Sequence, residues 1–295
     1  MDGILIIDKP AGITSHDVVA RVRRILKTRR VGHTGTLDPF ATGVMVVLVG
    51  RTTRLAQFLD KDEKEYVAKV RFGFETDTGD RTGSSKFEVP SSKLVSPEDV
   101  EAVLPGFRGE IEQVPPMYSA KKVDGKKLYE HARKGETIKR KAVAITISEL
   151  EITGPVQAEN LEPGIWNLEL RVVCSAGTYI RTLAEDIGRA VGVGAHLSEL
   201  RRTRAGRFDL TQSVALDDIK QGDMLPIERA VEHLPSFELA EDRVERTVSG
   251  LSTRIANKGF IDGEAVRMLS LDGRLLAVGV YEGSESSLRP KVVLG

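Results

Sequence analysis

The 295-residue sequence predicts an α+β fold: a mixed, largely antiparallel sheet flanked by helices, followed by a small β-rich C-terminal module. Three observations carry that expectation. Strand-like apolar runs recur too often, and too close together, for repeated strand–helix–strand units. Two stretches, residues 14–26 and 178–192, show helical periodicity instead. A shift in composition near Pro235 then sets off the last sixty or so residues, enough for only a small accessory domain.

Taken in order, GILIID at residues 3–8 reads as a short buried strand. A helix should start at Thr14, which forms a capping-box pair with Asp17; Val18, Val19, Val22, Ile25 and Leu26 then share one face and leave arginines on the other. Residues 43–50 and 66–73 read as strands, the second with alternation, and the polar, Gly-rich residues 76–92 as a long loop. Ser96, Pro97 and Asp99 open a short helix that ends near Pro105 and Gly106. Residues 113–141 interrupt the strand pattern with two prolines, a VDGK turn and a short helix carrying Tyr129 and Arg133; charged excursions of this length serve function or mobility rather than the core. Residues 142–152 and 166–174 return to strand, and the helix at 178–192 closes on Gly192. An acidic, helix-like stretch precedes Pro235, and short strands around 275–281 and 289–294 complete the chain. The expected division is 1–235 and 237–295.

Lys and Arg total 43 and so do Asp and Glu, a balance that taken alone argues against a nucleic-acid partner. The distribution argues otherwise. Arg21, Arg23, Arg24, Lys27, Arg29 and Arg30 have no acid among them, residues 117–141 hold nine basic side chains against three acidic, and Arg201, Arg202, Arg204 and Arg207 form a third cluster. The compensating acids gather at 217–245, so the surface is expected to be polarised and able to hold polyphosphate. The single Cys174 can form no intrachain disulfide and there is no Cys pair at zinc spacing, which points to a reducing cytosol and no structural zinc. The opening MDGILIIDKP is too short and too charged for a signal peptide or membrane span, so a cytoplasmic protein is expected.

No GxxxxGK[ST], strand-anchored GxGxxG, HExxH or GxSxG occurs, so cofactor and metal chemistry lose ground. His33, Asp38, Tyr66, Asp80, Tyr179 and Arg181 remain as polar residues in ordered settings. Each has a structural reading as well; Asp38 before Pro39, for instance, is a common loop dipeptide.

The stretches GILIIDKPAGITSHDVV, GHTGTLDPFATGVMVVLVG, KEYVAKVRFG, TDTGDRTG, VPPMYSAKKVDGKKLYEHARKGE, CSAGTYIRTLAEDIG and GAHLSELRRTRAGRF decide between these readings. In that order, over about residues 3–208, they resemble the signatures of the TruB-type tRNA pseudouridine-55 synthases. The resemblance implies a pseudouridine-synthase fold and isomerisation of uridine 55 in the T loop of tRNA. It implies no cofactor, metal or guide RNA, and a monomer is expected. By resemblance Asp38 is the catalytic aspartate, Tyr66 the aromatic stacked on the target uracil and Arg181 the cation paired with Asp38. His33 resembles the residue pressed into the T loop, Asp80 a polar contact near the flipped nucleotide, and Tyr179 and Leu200 pocket lining. Residues 113–141 are similar to the family's RNA-gripping insertion, so Lys121, Lys122, Lys126, Lys127 and Arg133, together with Arg201 and Arg202, are the expected RNA-binding residues. The tail resembles, weakly, a PUA-type RNA-binding module.

Making the C-glycoside requires breaking the N1–ribose bond, turning the held uracil and rejoining it through C5. One carboxylate can attack C1′ or C6, or assist deprotonation at C2′. In each case it must be ionised in a site that excludes water, and a paired cation is expected to lower its pKa. The nucleotide must leave its stack, at a few kcal/mol, and find an aromatic face. Two rivals stay open: a non-catalytic RNA-binding protein, and a guide-RNA-dependent modification enzyme.

Overall fold

A computed structural model describes residues 1–88, 95–119, 121–123, 125–132, 134–156, 165–255 and 259–295. β1 (Gly3–Lys9) leads into helix α1 (Ser15–Ile25), then β2 (Val31–Thr34), β3 (Thr42–Val49) and β4 (Lys64–Phe72). A hairpin of β5 (Phe74–Thr76) and β6 (Ser85–Glu88), helix α2 (Pro97–Val103) and β7 (Gly109–Gln113) follow. The insertion holds β8 (Lys122–Val123), β9 (Lys126–Lys127) and α3 (Leu128–Ala132). Then come β10 (Val143–Val156), β11 (Trp166–Cys174), helix α4 (Ile180–Val191), β12 (Ala195–Ala205), β13 (Phe208–Asp209) and β14 (Val214–Ala215).

Local chemistry explains the elements that position the site. The Thr14 side chain accepts from the Asp17 amide while Asp17 reaches back to the Thr14 amide, so the helix starts where the capping box predicts. β4 alternates strictly, burying Lys64, Tyr66, Ala68, Val70 and Phe72 on one face. β3 is apolar throughout because both its faces are covered: Val44, Val46 and Leu48 join one core cluster, Met45, Val47 and Val49 another. Gly192 ends α4 at φ 82°, a left-handed C-cap that costs glycine nothing.

The main sheet runs β14-β1-β3-β12-β4-β11-β10-β7, with β2 on β3 and β13 on β12. Its neighbours are antiparallel except for β1 with β14 and β3 with β12, which makes it the mixed, largely antiparallel sheet that the sequence predicts. A second sheet, β15-β17-β18-β19-β16, is built from β15 (Ser236–Glu238), β16 (Thr253–Arg254), β17 (Ala265–Leu269), β18 (Leu275–Glu282) and β19 (Ser287–Val293), with helix α5 (Glu241–Val248). It does not hang free. Leu275, Val278, Val292 and Leu294 share a core cluster with Ile4, Ile6, Val44 and Leu48, and Arg51 and Arg54 donate to the carbonyls of Leu294 and Val293.

Three expectations need correction. The stretch 76–92 is not all loop, since it carries β6, which pairs back with β5 in a hairpin; its residues 89–92 lie outside the described ones. The acidic stretch before Pro235 is not a helix but two short 3-10 turns, Gln221–Asp223 and Ile227–Ala230. Leu225 exchanges backbone hydrogen bonds with Ile4 between those turns, and Pro226 follows it, so the segment is drawn out along β1. The basic run at 201–204 is the end of β12, a strand between β3 and β4 in the main sheet.

Candidate active site

Asp38 stands in the loop between β2 and β3, which is held on both sides. Ser15 Oγ donates to the Leu37 carbonyl at 3.0 Å and accepts from its amide at 2.9 Å. On the other side, the fully buried Lys9 ammonium donates to the carbonyls of Ala41 at 2.7 Å, Pro10 at 2.9 Å and Pro39 at 3.3 Å. Burial lowers the Lys9 pKa to about 8, against a Coulombic pull from Asp38 that favours its charge. Sequence reasoning used Lys9 only as a charge interrupting an apolar run and missed this role. Its place at the end of a buried strand, next to Pro10, was the available signal.

Arg181 enters from the first turn of α4 and is nearly buried. Its Nε lies 2.9 Å from Asp38 Oδ2 and its Nη2 3.1 Å from Oδ1, a bidentate pair. The same guanidinium donates to the carbonyls of Thr78 at 2.9 Å and Tyr118 at 2.7 Å, and lies 3.7 Å from Asp80 Oδ2. Asp80 is buried behind this pair, its Oδ1 accepting from Thr78 Oγ1 at 2.9 Å and from the Thr82 amide at 2.9 Å. It is not among the side chains lining the cavity beside Asp38, and its Oδ2 faces the Arg181 guanidinium.

Burial pushes the Asp38 carboxyl above its ordinary range; Arg181 pulls it down and Asp80 pushes it up. The paired guanidinium lowers this pKa as expected, but desolvation outweighs it, so the net direction is upward. Burial likewise raises the Tyr66 phenol, keeping it un-ionised.

A cavity of about 310 Å³ opens at Asp38, at the lower end of the range for small-ligand sites. Tyr66 from β4, Leu200 from β12 and Tyr179 at the cap of α4 line it, together with Ser119, Gly177 and Arg202. Gln113 fixes Tyr179 by a two-way exchange, accepting from its amide at 2.8 Å and donating to its carbonyl at 3.1 Å. Thus Asp38, Tyr66, Tyr179, Arg181 and Leu200 converge as expected, although they come from four separate parts of the chain. His33 does not join them. It lies on β2 with its ring centroid 6.0 Å from that of His16, and burial lowers its pKa to about 4, so the imidazole is neutral.

The expected RNA-binding residues divide. Lys121 is half-buried and Lys126 exposed in the insertion, whose Ser119 carbonyl accepts from the Tyr129 amide at the cavity edge. The side chains of Lys122 and Lys127, and all of Arg133, lie outside the described residues. Arg201 is half-exposed but makes a bidentate pair with Asp8, at 3.1 and 2.7 Å. Arg202 is 1% exposed and is removed from the basic surface. Strand alternation sends successive arginines of β12 to opposite faces, and the protein partners each of them. The exposed Arg24, Lys27, Arg29 and Arg30 around the end of α1 do remain available.

Comparison with known proteins agrees with this architecture. The N-terminal domain model of the TruB family pseudouridylate synthases matches residues 23–180, and the C-terminal domain model of tRNA pseudouridylate synthase B matches 181–234. The chain is 44% identical to the tRNA pseudouridine synthase B of Thermobifida fusca over 297 residues, covering 99% of this chain and 98% of that protein. It is 37% identical to that of Bacillus subtilis over 305 aligned residues, covering 100% and 98%. Among solved structures, it resembles a chain of an H/ACA RNP bound to a substrate RNA containing 2′-deoxyuridine, with a TM-score of 0.73 and 28% identity over 99% of this chain and 85% of that one. A Cbf5-Nop10-Gar1 complex gives 0.73 and 30% over 99% and 84%. With matches of this extent and identity, the chain belongs to the TruB family of pseudouridylate synthases.

Proposed function

We propose that this protein is a stand-alone tRNA pseudouridine-55 synthase that everts the T-loop uridine and isomerises it at Asp38, without a guide RNA. The carrying observation is the Asp38–Arg181 pair on the wall of a cavity also lined by Tyr66. Arg181 orients the carboxylate and opposes the protonation that burial favours. Tyr66 and Leu200 offer the everted base an aromatic face and an apolar wall, which keep water from the reacting centre. The N1–C1′ bond breaks and the C5–C1′ bond forms; C5 gives up a proton and N1 gains one, so substrate and product are isomers. The basic end of α1 and the insertion lysines supply contacts to the T-arm phosphates. The small C-terminal sheet extends the RNA-binding surface as a PUA-like module.

The test uses pure protein and an unmodified tRNA transcript carrying 5-tritiated uridine. Release of tritium without added RNA is expected, together with its loss in Asp38→Ala at nearly unchanged tRNA affinity. Release that needs a guide RNA would favour the guide-dependent alternative, which the likeness to an H/ACA RNP chain keeps in view. Full activity in Asp38→Ala would leave only an RNA-binding role.

A further inference from the structure

Arg202 is a large, basic side chain with 1% exposure, and the isomerisation as described gives it no task. Its place in the sheet is specific. β12 lies between β3 and β4, and at Arg202 it meets both: the residue is in register with Gly43 on β3 and with Tyr66 on β4. The approach to β3 is unusually close, since a Cβ at Gly43 would fall 2.1 Å from the Arg202 carbonyl oxygen. Gly43 is also at φ 101°, which other residues avoid. The strand carrying the end of the Asp38 loop is therefore seated directly on the Arg202 backbone.

The side chain completes the arrangement. Its Nε donates to the Val44 carbonyl at 2.7 Å and its Nη2 to the Gly35 carbonyl at 3.1 Å. Gly35 and Val44 bracket the segment containing Asp38, so one planar guanidinium ties the beginning of that segment to its end. Because directly opposed residues of an antiparallel pair project to the same face, the Tyr66 side chain lies on the same face of the sheet as this guanidinium. Both line the cavity.

We propose that Arg202 is a positioning residue: it holds the Asp38 loop and the Tyr66 ring in one fixed relation across β12, and thereby sets the geometry of the isomerisation. This rests on the isomerase reading above. Misplacement of reacting groups by about 1 Å can cost roughly 100-fold in rate. A lysine would keep the charge, but its single ammonium cannot reproduce the planar fork that spans two carbonyls.

The test measures kcat and KM by tritium release from tRNA, tRNA Kd by filter binding, and the thermal midpoint, for full-length Arg202→Lys and Arg202→Met. The expected result is kcat lowered about 10-fold in Arg202→Lys and about 100-fold in Arg202→Met, with KM and Kd within about threefold of wild type. Adding Tyr66→Phe to Arg202→Lys should slow it by less than Tyr66→Phe slows the wild type. If the methionine variant does not fold, the lysine variant decides. A kcat per folded molecule equal to wild type in Arg202→Lys, or a loss confined to tRNA affinity, would overturn the proposal. Wild-type tritium release tests the isomerase reading separately, because the Arg202 inference depends only on variant-to-wild-type ratios.

Discussion

At position 38 burial and pairing oppose each other, and the sign of each fixes a pH dependence. Burial raises the Asp38 pKa, Arg181 lowers it, and the net direction is upward. Since the ionised carboxylate is the reactive form, activity falls as pH drops through a pKa above the ordinary aspartate value of 3.8. Removing the guanidinium removes the downward pull, so Arg181→Met should move the acid limb of kcat/KM to higher pH and lower kcat. An unmoved limb would mean that Arg181 does not set the charge at Asp38. Lys9 makes a second residue-scale case. Its folded pKa of about 8 lies below the ordinary 10.5, so the unfolded chain binds more protons between those values and this group adds stability as pH rises through that window. Lys9→Met should abolish that rise in the pH–stability profile. Because it strands buried carbonyls it should also cost about 2–4 kcal/mol at neutral pH by denaturant unfolding.

Elements with strong periodicity are readable from the sequence alone. The alternation of β4, the continuous apolar run of β3 and the capped starts of α1 and α2 follow from local chemistry, and the structure contains them. β12 is not readable in this way, because its C-terminal half carries arginines where a central strand would ordinarily carry apolar residues. Its partners, Asp8 for Arg201 and the carbonyls of Gly35 and Val44 for Arg202, are more than 150 residues away. Likewise, the family motifs mark Asp38, Tyr66 and Arg181, but no local signal could show that Asp80 faces Arg181 rather than the cavity. The insertion keeps its expected exposure at Lys126. Replacing Lys121 and Lys126 with alanine should weaken tRNA binding and flatten the slope of log Kd against log salt by about one for each phosphate left without its lysine. The kcat at saturating tRNA should stay unchanged; a fall in kcat with unchanged salt slope would place these lysines outside the electrostatic interface.

For the molecule as a whole, the C-terminal sheet is a structural partner of the main sheet as well as a candidate RNA surface. Leu275, Val278, Val292 and Leu294 complete a core begun by β1 and β3, the strand that follows the Asp38 loop. Truncation after residue 235 should therefore lower the thermal midpoint of the remainder, and Leu294→Ala in the intact chain should cost about 2–4 kcal/mol. A truncated protein that melts like the intact one would show that the shared core contributes little. Composition points to a change of character near Pro235, but it is blind to a core shared between segments so distant in the chain.

On the proposed reading, a half-buried carboxylate at position 38, paired with Arg181, isomerises one everted uridine. The most direct test of that reading is to map modified nucleotides on a tRNA transcript treated with pure protein, wild type beside Asp38→Asn. Wild type should form pseudouridine at position 55 alone and Asp38→Asn none, while both proteins bind the transcript with similar affinity. Pseudouridine formed by Asp38→Asn at the wild-type rate, or formed at another position, would contradict that reading.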